Sequence, residues 1–426
     1  DARRLGMGGV ILSEVSQSST QNVAYRAVPR GKGSGASSRS IPIPLGLIQL
    51  LASHPEFDSS NPNFNVFEIA QLIARTPYTL QLVKPQELSS DIIVDVAQNS
   101  LAIDLGELQR LFPDRDLRFG STFASPNLEF GTKNIFAGVR PQVEVRNSMR
   151  LDPTLQRALG EADPFAPNTT YGAKDDARAQ GAIAFTVGTA LPIVPAIASP
   201  DGDPRKGGVA LYAGARATYL RGIALWEGDG RAQFATGDTI FGSGTPLEAQ
   251  YDANVRQTPN PAFDAGKGYA ADAGFVVFLH GLEIGLGVND LGATIDWKNT
   301  DLDNYTYDTA TNTNVKTPVA RGEKFKSQFP VTGTLNLAYR WGRTTVAGTL
   351  DRTANERYIP RAGAEIWMGP TPLRGGVYLD SYQLLQFTAG SGVKFGKLGL
   401  DVALATQSRG ISTQRGVELA ASLAIY

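Results

Sequence analysis

Residues 269–288 read YAADAGFVVFLHGLEIGLGV, and this stretch decides the predicted fold. Apolar residues occupy every second position on both sides of a His280–Gly281 break, which is short enough for a hairpin turn. This period-two alternation predicts two antiparallel strands, each with one apolar face. The residues on the apolar face are Tyr269, Ala271, Ala273, Phe275, Val277, Leu279, Leu282, Ile284, Leu286 and Val288.

The same alternation recurs from about Leu117 to the end of the chain, in segments long enough for tilted transmembrane strands. Predicted turns are short near Gly281, Gly342 and Gly396, and long and polar at residues 227–245, 305–327 and 405–415. Short turns at one rim and long loops at the other are typical of outer-membrane barrels. We therefore predict an all-β fold, a transmembrane antiparallel β-barrel of about fourteen strands.

Composition agrees with a barrel and excludes several other classes. Charged residues make up 19% of the 426 residues, below the quarter that is usual for soluble domains, and mean hydropathy is only -0.16. The chain has no cysteine, so disulfides and thiolate metal ligands are excluded, and a net charge of -1 gives no reason to expect nucleic acid. A soluble sandwich or propeller stays open as an alternative, because alternation does not reveal whether an apolar face meets lipid or a second sheet.

Three regions follow from the pattern. We expect residues 1–37 to form a glycine-bearing hatch or plug, and residues 117–426 to form the main barrel. Residues 38–116 are expected to hold a first strand followed by a small mixed α/β insertion, with a helix at residues 67–75 and a hairpin at residues 92–105. This insertion is either a plug inside the barrel or a cap at one of its mouths. The chain begins at Asp1, and we expect this to be the terminus left when a signal peptide is removed.

The N-terminal segment Ala2-Arg3-Arg4-Leu5-Gly6-Met7-Gly8-Gly9-Val10 resembles the start of mature long-chain fatty-acid transporters of the FadL type. The resemblance implies a hatch that plugs a fourteen-stranded barrel, and passive transport or shuttling of hydrophobic or amphipathic molecules such as a fatty-acid-like ligand. The residues that match the hatch are Leu5, Gly6, Met7, Gly8, Gly9 and Val10.

The C-terminal part resembles the PorV-type branch of the same superfamily. The resemblance rests on Gly-Leu-Glu-Ile-Gly-Leu-Gly-Val-Asn-Asp-Leu-Gly at residues 281–292 followed by Trp297, and on later segments that occur in the family's order. It implies a non-transporting accessory or scaffold barrel that binds exported proteins or a larger surface or membrane complex, with other envelope or surface proteins as partners.

Charged residues of both signs share the parity that faces the barrel interior. Two interpretations stay open for them: ion pairs that hold a plug to the barrel, or a ligand path in which an arginine meets the carboxylate of an amphipathic ligand. Val276 and Phe278 share the parity of Asp272 and would add an apolar patch. The candidate residues are Arg216, Asp272, Val276, Phe278, Glu283, Arg340, Arg374 and Lys394.

No catalytic or metal site is expected. The two histidines, His54 and His280, are far apart in the sequence, and no nucleophile, base and orienting group occur together. We expect no enzyme activity and no cofactor. The expected location is the bacterial outer membrane, with its lipids as neighbours, and a general porin is the third functional hypothesis.

Overall fold

The structure, a computed structural model, describes residues 1–14, 18–29, 39–42, 78–81, 93–97, 100–104, 117–124, 128–132, 134–160, 163–199, 202–238, 248–308, 313–354, 357–380, 384–396, 398–406 and 416–425. Within these ranges, no helix is both long and apolar enough to cross a membrane.

Strands account for most of the described chain, and the helices are short. The helices are α1 (Ala2–Gly6), α2 (Ser18–Gln21) and α3 (Pro153–Gly160), with 3-10 turns at Val23–Arg26 and Pro204–Lys206. The strands are β1 (Arg39–Pro42), β2 (Tyr78–Gln81), β3 (Ile93–Ala97), β4 (Ser100–Asp104), β5 (Leu117–Ala124), β6 (Leu128–Gly131), β7 (Ile135–Leu151), β8 (Thr170–Ile197), β9 (Val209–Ala235), β10 (Glu248–Gln257), β11 (Gly266–Leu279), β12 (Leu282–Asp308), β13 (Thr313–Gln328), β14 (Thr332–Trp341), β15 (Thr344–Arg352), β16 (Tyr358–Met368), β17 (Thr371–Leu379), β18 (Leu385–Phe395), β19 (Leu398–Thr406) and β20 (Gly416–Ile425).

Eighteen of these strands form one antiparallel sheet, which confirms the predicted all-β fold class. Pairing follows chain order from β7 to β20, and four positions in the sheet each hold two strands in line. The in-line pairs are β1 with β2 beside β20, β5 with β6 beside β7, β10 with β11 between β9 and β12, and β13 with β14 beside β12. The eighteen strands therefore occupy fourteen adjacent positions in the sheet.

Part of the predicted insertion belongs to the main sheet, since β1 and β2 both pair with β20. The predicted hairpin is confirmed as β3 and β4, which form a separate two-stranded sheet. The helix predicted at residues 67–75 lies outside the described residues.

The face of the sheet that points away from residues 1–29, hereafter the outer face, carries an apolar band. On β11 it runs from Tyr269 to Leu279, with alanines, Phe275 and Val277 between them. Ten residue steps at about 3.3 Å, tilted by about 40°, span about 25 Å along the barrel axis. Tyr219 and Tyr269 pack together at one border of the band, and Tyr339 and Trp341 pack together at the other.

Two of the long loops predicted from sequence are wrong. Residues 227–235 continue β9, and most of residues 305–327 belong to β12 and β13. Their polar side chains pair across strands, as when Asn304 bonds to Asp252 at 2.6 Å and Lys316 to Asp303 at 2.9 Å. With polar residues on both faces, these strands lack the hydropathy alternation that identifies a half-buried strand.

Beyond the apolar band, several strands continue as what we call the extended sheet. It comprises the whole of β10 and β13, residues 224–235 of β9, residues 298–308 of β12, and the adjoining ends of β7 and β8. Thr294 pairs with Tyr269 at the border of the apolar band, and β12 continues to Asp308. Those fourteen steps add about 46 Å of strand beyond the band. At its tip, α3 covers a small aromatic cluster in which Tyr171 stacks on Phe234 at 5.0 Å between ring centroids.

Candidate functional site

The face opposite the apolar band, hereafter the inner face, surrounds residues 1–14 and 18–29, the described part of the N-terminal segment. Hydrogen bonds tie this one segment to strands across the sheet: Ala2 N to Ser422 Oγ of β20 at 3.2 Å, Ile11 N to Thr349 Oγ1 of β15 at 3.0 Å, and Asn22 Nδ2 to Phe275 O of β11 at 3.0 Å. Arg26 reaches Thr132 O, just before β7. So short a segment can touch strands from β7 to β20 only if the sheet curls around it.

Residues 5–10, which match the hatch of the FadL-type resemblance, form the end of a short helix and the compact turn that follows it. Helix α1 begins at the Asp1 cap, whose side chain accepts from Arg3 N, and it ends in a left-handed turn at Gly8 (φ 72°) and Gly9 (φ 81°). Gly9 N returns to Arg4 O at 2.8 Å. Positive φ at two successive positions is costly for any residue with a side chain, so the turn requires both glycines. Met7 and Val10 are fully buried.

The hatch lies directly on inward-facing glycines of three neighbouring strands. Gly363 of β16, Gly376 of β17 and Gly390 of β18 have their Cα atoms against the backbone of residues 6–8. A Cβ at any of the three would approach that backbone to 3.0 Å or less, closer than real Cβ atoms come. The glycines therefore create the space that the hatch occupies.

A second glycine patch receives the end of α2. Gly274 of β11 and Gly287 of β12 face Asn22 and Gln21, and Gly285 faces the Tyr25 hydroxyl. Asn289 Nδ2 also donates to Gln21 O at 3.0 Å. Gly287 therefore lies against the backbone of Gln21, whereas Gly274 and Gly285 leave room for the side chains of Asn22 and Tyr25.

The first of two buried ion clusters joins Arg3 to the sheet. Glu365 accepts from Arg3 at 2.7 Å and from Arg374 at 2.7 Å, and Arg374 donates to Asp401 at 2.6 Å. All four groups are at most 6% exposed. Removing one partner of such a buried pair typically costs about 3–5 kcal/mol, because the remaining charge is left unpaired.

The second cluster joins Glu14 to the sheet. Arg340 Nη2 donates to Glu14 at 2.6 Å and to Glu283 at 2.7 Å, and Glu283 also accepts from Ser13 Oγ at 2.8 Å and the Tyr25 hydroxyl at 2.7 Å. Burial alone would raise the pKa of Glu14, but the guanidinium groups of Arg340, Arg3 and Arg205 outweigh it and lower the pKa to about 2. Glu14 is therefore ionised at neutral pH and anchors the segment as a charge.

The structure brings most of the sequence-predicted residues into these contacts. Arg340, Glu283 and Arg374 belong to the two clusters, and Arg216 binds Asp272 at 2.5 Å. The two clusters contain groups of the N-terminal segment, whereas the Arg216–Asp272 pair joins β9 to β11. Both interpretations, ion pairs that hold a plug and a ligand path, stay predictions.

The remaining candidates have different surroundings. Val276 and Phe278 share a buried face with Asp272, but they pack against Tyr25 and Val28. Lys394 is half-buried near the end of β18.

Sequence reasoning missed Arg3, Glu14 and the inward glycines. A signal for the glycines was present, because Gly274, Gly285 and Gly287 share the parity of Asp272 and Glu283. No local pattern could join Arg3 to Glu365, since the two are 362 residues apart. Across the described part of the chain, no three His, Asp or Glu residues are grouped as metal ligands.

Comparison with known proteins gives distant similarity to solved barrels. No family model and no curated protein matches the chain. The toluene transporter TbuX of Ralstonia pickettii is 12% identical over 79% of this chain and 97% of its own, with a TM-score of 0.33. A deltaS2S3 mutant of TodX, a monoaromatic hydrocarbon channel, is 10% identical over 78% of this chain and 96% of its own, with a TM-score of 0.26.

A triple mutant of the porin of Rhodopseudomonas blastica is 11% identical over 72% of this chain and 100% of its own, with a TM-score of 0.20. All three TM-scores are below 0.5. The similarities therefore do not bear on what this chain does.

The glycine contacts predict opposite outcomes for two neighbouring residues. Gly376→Ala places a Cβ against Met7 and Gly8, whereas Gly375→Ala points outward, with its nearest neighbour 4.0 Å away. In Gly376→Ala, we expect trypsin to cleave after Arg3 and Arg4 at least about tenfold faster than in the wild type, with strand content by circular dichroism unchanged. Gly375→Ala should match the wild type. Equal cleavage in both variants would show that the hatch does not rest on Gly376.

Proposed function

We propose that the protein is an outer-membrane barrel through whose interior hydrophobic or amphipathic molecules pass, with residues 1–29 as a displaceable plug and residues 5–10 as its hatch. One observation carries the proposal. The described part of this segment fills the inner face but contributes no strand to the main sheet. It is held by side-chain hydrogen bonds, ion pairs and close packing, all of which can break while the strand ladder stays intact.

The apolar band supports the membrane location. It has the height of a bilayer's hydrocarbon layer as barrels present it, with aromatic residues at both borders. Just beyond Tyr219 and Tyr269, one register row carries the charged residues Arg221, Lys267, Asp296 and Lys326. Apolar residues bordered by aromatics and then by charges match the order of hydrocarbon, interface and headgroup in a membrane.

Two tryptophans test this orientation. Trp341 lies on the outer face and is 49% exposed, whereas Trp297 faces the interior and is 1% exposed. In single-tryptophan variants reconstituted with lipids brominated along their acyl chains, we expect the fluorescence of Trp341 to be quenched at least about twofold more than that of Trp297. Equal quenching of the two would contradict a lipid-facing outer surface.

The interior contains a surface suited to an apolar ligand once the plug moves. Val276, Phe278 and Tyr212 form an apolar strip on β9 and β11 that residues 24–28 cover. Displacing those residues would expose the strip beside the polar Arg216–Asp272 pair. An apolar surface with a few convergent polar groups suits a molecule with a hydrocarbon chain and a polar end.

Uptake by intact cells tests the transport role. In a Gram-negative host that makes the protein, deletion of residues 5–10 should raise the initial uptake rate of radiolabelled dodecanoate at least about threefold, because the obstruction is removed. Gly375→Ala, which leaves the inner face unchanged, should match the wild type. An unchanged rate in the deletion variant, with the protein present at normal levels in the outer membrane, would contradict transport through the plug.

A specific observation also favours a second function, that of an accessory barrel binding envelope or surface proteins. Strand β12 of the extended sheet continues for about 46 Å along its own direction beyond the apolar band, which is about 35 Å along the barrel axis at a tilt of about 40°. Trp226 and Tyr251 of this sheet are 42% and 41% exposed. Transport across a membrane does not require strands of that length. If the hatch deletion leaves uptake unchanged, binding through the extended sheet becomes the preferred function.

A further inference from the structure

The register of β7 to β10 places charges in rows on the inner face of the extended sheet. Arg146, Arg178, Glu227 and Arg256 are direct cross-strand neighbours, and we call them the first row. The second row lies two residues further along each strand and comprises Ser148, Asp176, Asp229 and Asn254. The third row comprises Arg150, Lys174, Arg231 and Asp252. Net charge is therefore positive, negative and positive in successive rows.

A cavity of about 300 Å³ opens on the first two rows. Strands β7, β8 and β9 line it on one side, and Ala354, which follows β15, lines it on another. Since β15 lies far from β8 in the sheet, the cavity reaches across the interior rather than along one wall. It begins eight residues beyond Tyr219 on β9, at the mouth of the barrel.

Two charged groups at this cavity make no hydrogen bond or ion pair with a described residue, although the charge of Arg146 acts on Glu144, two residues away on β7. Arg178 is fixed, because it donates to Glu227 at 2.7 Å and to Gln328 O at 3.2 Å. Arg146, its cross-strand neighbour, makes no hydrogen bond or ion pair within the described chain, and neither does Asp176 in the next row. The two side chains are diagonal neighbours on β7 and β8, yet they do not pair with each other.

Like charges directly opposite each other on neighbouring strands are destabilising. Arg146 faces Arg178 in the first row, and Asp176 faces Asp229 in the second. An anionic group between the two arginines would relieve the first repulsion, and a cationic group between the two aspartates would relieve the second. The rows are two residues apart, about 6.6 Å along a strand.

We propose that this cavity binds a small zwitterion, or the zwitterionic end of a larger molecule, with its anionic group at Arg146 and Arg178 and its cationic group at Asp176 and Asp229. The proposal deepens the transport function and rests on it, since it names the polar chemistry that the mouth admits. Binding can be measured without transport, so an experiment can contradict the zwitterion site and leave the transport function standing, or the reverse.

Calorimetry on the purified full chain in a neutral detergent tests the proposal with three probes of equal length. The probes are 5-aminovalerate, which carries both charges, pentanoate and pentylamine. We expect 5-aminovalerate to bind at least about tenfold more tightly than either singly charged probe. Arg146→Gln and Asp176→Asn should each reduce its affinity to that of the singly charged probes. Lys267→Gln, which removes an exposed cation from the outer face, should have no effect.

Variants that keep the charge guard against loss of structure as the explanation. Arg146→Lys and Asp176→Glu should each retain 5-aminovalerate binding within about threefold of the wild type, because each keeps its charge in its row. Equal affinity for all three probes, undiminished binding in Arg146→Gln, or loss of binding in Arg146→Lys equal to that in Arg146→Gln would overturn the proposal. Such a result would leave hatch-dependent uptake untouched, whereas unchanged uptake with intact zwitterion binding would count against transport alone.

Discussion

The close approach of backbone to backbone at the inward glycines is the constraint on which the rest of the interior depends. The backbone of residues 6–8 lies against Gly363, Gly376 and Gly390, and the backbone of residues 21 and 22 lies against Gly287. The other contacts of the N-terminal segment depend on this close approach to the sheet. Arg3 and Glu14 reach their partners because the hatch turn between them sits on the sheet rather than on a layer of side chains.

The buried ion pairs fix the position of the N-terminal segment more than they increase the net stability of the fold. Taking charges out of water offsets much of the attraction between them, so a complete buried cluster contributes little compared with an apolar one. A misplaced cluster would destabilise the fold by about 3–5 kcal/mol for each buried charge that is left unpaired. The segment is therefore held in one arrangement without the strength of a strand ladder, which is what the proposed function requires of a plug that must both fit and move.

The sequence predicted the strands within the apolar band because one of their faces meets an apolar environment. Residues 269–288 form the β11–β12 hairpin with the expected parity, and His280 occupies the tight turn with φ 49°. The same parity put Arg216, Asp272 and Glu283 on the inner face. Where both faces of a strand are polar, as in β13, no alternation marks the strand, and those residues resembled a loop.

The partners of the inward charges could not be predicted, for a different reason. Parity names the face that a side chain occupies, but not the segment that lies over it. Arg374 was expected to meet either a plug or a ligand, and the choice depends on Arg3 arriving from the far end of the chain. The charge rows at the mouth likewise need the register of four strands, which the sequence does not specify.

A cysteine cross-link tests most directly whether the N-terminal segment occupies the interior. The chain has no cysteine of its own, and Ala2 N donates to Ser422 Oγ at 3.2 Å. The pair Ala2→Cys and Ser422→Cys should form one intramolecular disulfide in membranes, while Ala2→Cys with Leu423→Cys should not, because Leu423 points to the outer face. Non-reducing mass analysis distinguishes the two. Absence of the link to residue 422, or an equal link to residue 423, would contradict a segment seated on the inner face.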